Sequence, residues 1–165
     1  MAGGLMSEAH RLIVGARGWN HDGWNGTFYP EDLPQDWRLS YYANEFTGVL
    51  VPEPVWRAAD PSIIGGWLGD VADGFLFYLE QHDPRASSQI SFSHRKLFGS
   101  HWGGIPVSSK AVWSGEEEWN LRRLRERFNA LRKHPRGVTT PGFFISGNPP
   151  EIDHMREARL LADML

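Results

Sequence analysis

Residues 39–51 read Leu39-Ser40-Tyr41-Tyr42-Ala43-Asn44-Glu45-Phe46-Thr47-Gly48-Val49-Leu50-Val51, and the hydrophobic period changes within them. Leu39, Tyr42, Ala43 and Phe46 recur at helical spacing, which predicts a short amphipathic helix capped by Asp36. Gly48 to Val51 is a continuous apolar run stopped by Pro52 and Pro54, the pattern of a buried strand. A helix that hands over to a fully apolar strand is the repeating step of a parallel sheet with crossover helices.

The same alternation extends in both directions. Leu12-Ile13-Val14, closed by Gly15, predicts a strand, and the Gly-, Asn- and Pro-rich stretch from Gly18 to Pro34 predicts a loop. A helix is expected over Pro61–Val71, weakened by Gly65-Gly66, and a strand over Phe75–Leu79. Gln81 to Phe92 is polar and aperiodic and reads as a linker, and Lys96–Gly99 reads as a weaker strand. Ser114–Lys133 is the clearest helix. Ser114 and Glu117 form a capping box, Leu121, Leu124, Phe128 and Leu131 an apolar stripe, Glu118 and Arg122 an ion pair, and Pro135 and Gly137 the stop. A strand over 142–146 and a helix over 152–165 complete an α/β order of about five mainly parallel strands.

A chain of 165 residues is one domain by length, with 1–11 expected as a flexible leader and 12–165 as the folded unit. Hydrophobic residues at 41% and charged residues at 22% exclude a disordered chain. The absence of Cys excludes disulfides, thiolate nucleophiles and zinc fingers, and fits a cytoplasmic address. A net charge of −3 gives no global basic excess for binding nucleic acid, so such a partner is not expected. No apolar run reaches the ~20 residues of a membrane helix, and no membrane partner is expected.

Few motifs carry chemistry. Gly15-Ala16-Arg17-Gly18 lacks the spacing of a dinucleotide fingerprint, and the prolines after the second strand argue against a phosphate-binding helix start there. The histidines form no metal pair at helical spacing, and neither a metal nor a cofactor is expected. Glu80 and His101 fall near predicted strand C-terminal ends, where parallel sheets place ligands, and His21 lies in the loop after the first strand. The three read either as a metal or acid–base site or, preferably, as surface or hydrogen-bonded structural residues. Ser93-His94-Arg95-Lys96 with Arg122, Arg123, Arg125 and Arg127 is either a phosphate patch or a solvated helix face, the latter favoured. Trp19, Trp24, Phe28 and Tyr29 crowd one loop. They read either as an aromatic platform or, preferably, as the loop's own hydrophobic core.

Gly15-x-x-Gly18-Trp19, Trp24-x-Gly26, Phe28-Tyr29-Pro30, Leu33-Pro34 and Leu39-x-Tyr41-Tyr42-Ala43-x-x-Phe46 together resemble the opening of the YecE-like family, the domain of unknown function numbered seventy-two. The resemblance implies a βα barrel of the TIM type. It also shows what is altered. Leu50 and Pro52 stand where the family's second strand carries an acid and an amide, and Glu80 stands where its third strand ends in lysine. Leu97–Trp102 resembles the strand ending in a His-Gly pair, with His101 kept, and Phe143–Asn148 resembles the last strand. Residues 12–80 thus resemble the family's beginning and 93–165 its end. A full barrel takes about 250 residues, so on the order of three βα units are missing between Gln81 and Phe92.

These comparisons imply an incomplete TIM-type barrel that has lost its ancestral site and serves as a scaffold or assembly protein. Its open edges are expected to be covered by a homo-oligomer or another protein. The competing expectation is a residual enzyme or binder of small anions at the barrel mouth, using Arg17, Trp19, His21, Trp24, Glu80, His101 and Asn148. A weak nucleic-acid module is the third expectation.

Overall fold

Short apolar runs bounded by glycine and proline become strands here, and the amphipathic stretches between them become helices. The computed structural model describes residues 11–83, 88–133 and 140–165. The order is β1 (Ile13–Ala16), α1 (Arg38–Glu45), β2 (Gly48–Val51), α2 (Glu53–Ala58), α3 (Pro61–Gly69), β3 (Leu76–Leu79), α4 (Ser88–Phe98), β4 (Trp102–Gly104), α5 (Ser108–Ala111), β5 (Val112–Trp113), α6 (Leu121–Lys133), β6 (Gly142–Ile145) and α7 (Ile152–Met164). The expected leader, apart from Arg11, and the expected stop at Pro135 and Gly137 lie outside the described residues.

Among the described residues all strand pairings are parallel. One sheet has the order β1-β6-β5 and the other β2-β3-β4. A parallel bridge between Arg17 and Leu50 joins β1 to β2. The combined surface curls. Tyr78 on β3 and Phe144 on β6 have ring centroids 4.9 Å apart, although β1 and β2 lie between those strands. Three strand spacings in a flat sheet would separate them by about 14 Å.

Alternation along each strand then builds two cores. Ile13, Leu50, Tyr78 and Phe144 meet on the concave side, with Leu76 and Val112 against them. Val14, Val49, Val51, Phe77, Phe143 and Ile145 face the helices in the larger cluster. The concave core is filled tightly: a Cβ on Gly103 would stand 2.8 Å from the Tyr78 ring. Tyr42 fastens β1 to β2, its hydroxyl accepting from Ala16 N–H and donating to Gly48 O, both at 2.8 Å. Gly15 lies at this seam, where a Cβ would sit 2.1 Å from Gly48 O. Only backbone movement relieves that clash, so Gly15→Ala should lower stability by about 1–3 kcal/mol in urea unfolding. A variant as stable as the parent would show that β1 and β2 separate freely.

The structure corrects several sequence expectations. The described residues hold six strands, not five, because Val112–Trp113 pairs with β6. Lys96–Gly99 is not a strand: Lys96–Phe98 ends α4, Phe98 is buried, and Gly99 leaves the helix at φ 56°. The linker expected from Gln81 to Phe92 is helical from Ser88 onward. Asp36 lies inside a 3-10 turn, Gln35–Trp37, and does not cap α1. A helix does start after β2, because Pro54 sits in its first turn, where no N–H is needed. The Ser114–Glu117 capping box does not form, and α6 begins only at Leu121. Asn120 Oδ1 accepts from Arg123 N–H there, and Glu117 instead pairs with Arg127 at 2.5 Å.

Candidate functional site

The C-terminal ends of parallel strands gather chain turns and side chains with no further strand to pair, so they are where a site is sought. Arg17 follows β1 and Glu80 follows β3, and the two-residue alternation carries both to the concave side, above Ile13 and Tyr78. There they meet. Arg17 Nε donates to Glu80 Oε2 at 2.5 Å and Nη2 to Oε1 at 2.8 Å, a two-pronged pair. Glu53 N–H at the start of α2 donates to Glu80 Oε1 at 3.1 Å, and His82 Nε2 lies 3.1 Å from the same oxygen. Trp56 Nε1–H fixes the Glu80 carbonyl at 2.7 Å. Glu80 is only 5% exposed, whereas Arg17 keeps 35% of its side-chain surface in water.

These contacts fix the charges. Burial pushes the Glu80 carboxyl toward protonation, but the Arg17 hydrogen bonds, the Glu53 N–H and the Arg17 and His82 charges outweigh it, and its pKa lies below the usual range. The carboxylate is therefore ionised and weakly basic, and the guanidinium fork is occupied by it. Glu53 completes the group by pairing with Arg57 at 2.9 Å and accepting from His82 N–H at 3.2 Å.

The other sequence candidates separate. His21 Nε2–H donates to Arg17 O at 2.9 Å, and the ring lies 4.6 Å from Trp24. Burial is the main cause that holds its pKa below the ordinary value, leaving a neutral imidazole at neutral pH. Trp24 is buried, with Nε1–H on Pro150 O at 2.9 Å. Trp19 packs edge-on to Trp67 at 5.1 Å, and its carbonyl accepts the Tyr29 hydroxyl at 2.5 Å. The aromatic loop therefore does not form a separate core: its rings join the main one, Trp24 against Tyr42, Phe28 against Phe46 and Trp19 against Trp67 and Phe77. Asn148 follows β6 and lines a neighbouring cavity of about 480 Å³ with Ser114, Glu151 and His154. His101 is at the opposite end: its Nδ1–H donates at 2.7 Å to Phe75 O, just before β3. It precedes β4 instead of ending a strand.

Arg17 and Glu80 are therefore the candidates that meet through their side chains; His21 reaches the Arg17 backbone while packing on Trp24, Trp19 packs on Trp67, and Asn148 and His101 lie elsewhere. Sequence reasoning missed Glu53 and His82. The two flanking prolines made Glu53 look like a strand stop, and His82 lay in an aperiodic stretch. Among the described residues no three of His, Asp, Glu or Cys converge so as to hold a metal ion. Arg123 and Arg127 are turned toward Glu117, so the basic face of α6 is partly neutralised.

Comparison with known proteins agrees with this geometry at the level of fold. The model of a family described as "Protein of unknown function DUF72" matches residues 13–95. The crystal structure of a DUF72 family protein from Thermotoga maritima superposes with a TM-score of 0.58 at 12% identity, over 93% of this chain and 100% of that one. No curated protein matches.

Proposed function

The chain belongs to the DUF72 family, whose function is unknown, and from that premise we propose that it is a non-catalytic scaffold, an incomplete TIM-type barrel closed at its own mouth. One observation carries this reading: the Arg17–Glu80 pair occupies the strand-end position above an interior already filled by Tyr78 and Phe144. An anion-binding barrel needs a free cation at that place, and here the cation is held by the chain's own carboxylate. The parallel curled order supports the partial-barrel reading. In this reading, 12–80 and 93–165 are the two ends of a longer ancestral barrel within one domain. A cysteine-free composition favours a cytoplasmic location. Among the described residues no helix is long and apolar enough to cross a membrane.

Self-association is the assembly half of the same proposal. Among the described residues β4 and β5 each pair on one side only, which leaves two edges. Seven residues, 105–111, run from the C-terminal end of β4 back to the start of β5, and Val107 is exposed among them. Pairing of two copies across these edges is the simplest closed arrangement. Light scattering after size exclusion should give a dimer mass at low micromolar concentration, and a monomer throughout would overturn this half. Thermal denaturation tests the other half. Phosphate, sulfate or citrate should not raise the midpoint, and a rise abolished by Arg17→Met would overturn the scaffold reading.

A further inference from the structure

Beside the closed axis a cavity of about 480 Å³ opens between the turn after β1 and helices α1 to α3. Its inner wall is aromatic. Trp19 and Trp67 stand at 83° with centroids 5.1 Å apart, so the two indole planes form a corner. Trp67 is supported from behind by Phe77 and Phe98, stacked at 6.3 Å and 6.5 Å, which fixes the corner from the core side. Leu39 and Val55 add apolar wall.

The charge on this cavity has one sign. Asp36 and Asp70 both line it, and neither has an ion pair among the described residues. Partial desolvation first, and the Asp36 charge second, hold the Asp70 pKa above its usual value. The neighbouring buried cation, Arg38, is not in the lining and is held by Asn20, which is, and by Asp22 and Asn25. The backbone also leaves room. Gly66 lines the cavity, and a Cβ there would meet no atom within 4 Å. A helix-weakening glycine in the middle of α3 has no steric reason inside the fold, but it keeps the backbone bare toward the opening.

An indole corner facing uncompensated carboxylates is complementary to a charge that is diffuse and surrounded by methyl or methylene groups. The ring faces attract such a cation and also take up its apolar surface. A phosphate or carboxylate ligand would meet only repulsion from the two aspartates. We propose that this cavity binds a small organic cation of the alkylated-ammonium class, seated in the Trp19–Trp67 corner with its charge toward Asp36 and Asp70.

The test follows the indole N–H signals of Trp19 and Trp67 in the 165-residue chain during a choline titration. The neutral isostere 3,3-dimethylbutan-1-ol is titrated in parallel. Choline should shift both signals in a saturable manner. The alcohol and the D36N/D70N variant should each bind at least about tenfold more weakly. Both aspartates are exposed, so the variant should keep the parent's unfolding midpoint. The proposal is overturned if choline at about 50 mM moves neither indole signal, if the alcohol binds as well as choline, or if D36N/D70N binds choline like the parent.

Discussion

Cutting Phe144 back to alanine should destabilise the protein by about 3–5 kcal/mol in urea unfolding. The ring is fully buried on the concave side of β6, against Tyr78, and an added Cβ on Gly142 would lie 2.7 Å from it. Its neighbours come from strands held by their own ladders, so the space cannot collapse without breaking pairings. Leu121→Ala is the control. That side chain is 50% exposed at the start of α6, and its loss should stay within about 0.5 kcal/mol. Equal costs at the two positions would mean that the concave core is not the packed interior described above.

Removing the Glu80 carboxylate should have the next largest effect. Glu80→Ala strands the Arg17 guanidinium and the Glu53 N–H that both point at it. Breaking a fully buried pair costs about 3–5 kcal/mol; because Arg17 retains contact with water, about 2–4 kcal/mol is expected here. Replacing both partners by methionine removes the stranded charge with the pair, and the double variant should lie within about 1 kcal/mol of the parent. The pH dependence follows from the lowered folded-state pKa. Protons bind Glu80 more weakly in the folded than in the unfolded protein, so its stabilisation is complete above the unfolded pKa. It is lost as pH falls through the folded value. Glu80→Gln should therefore flatten the acid limb of a stability-against-pH curve. An unchanged limb would show that the pair contributes nothing to acid stability.

The local alternation of periods made most of the fold legible. Leu39 to Val51 names both α1 and β2, whereas the aromatic loop, readable as apolar packing, joins the main core through Tyr42, Phe46 and Trp67 instead of packing on itself. What escaped was decided by tertiary contact. Val112–Trp113 is too short to show a strand pattern and exists as β5 only because β6 lies beside it. Lys96–Phe98 looks extended by composition, yet Phe98 anchors the end of a helix against Phe77. The site was legible in part for the same reason. Arg17 and Glu80 were marked by their places after apolar runs, but nothing in the sequence states that two residues 63 positions apart come to 2.5 Å. His101, expected from resemblance to end a strand, instead lies just before β4. Trp67, in a glycine-weakened helix, and Asp70, just past its end, carried no visible signal.

The central claim is that the chain's own carboxylate occupies the strand-end cation. The Arg17 Nε–H resonance reports on that contact directly, in an arginine-selective nitrogen–proton spectrum at neutral pH. A two-pronged, half-buried pair should protect this proton from exchange and keep its shift constant as phosphate is raised to about 20 mM, with loss of the signal in Glu80→Gln. A resonance that moves and saturates with phosphate would contradict the account, because it would place a free anion site where the structure has a closed pair.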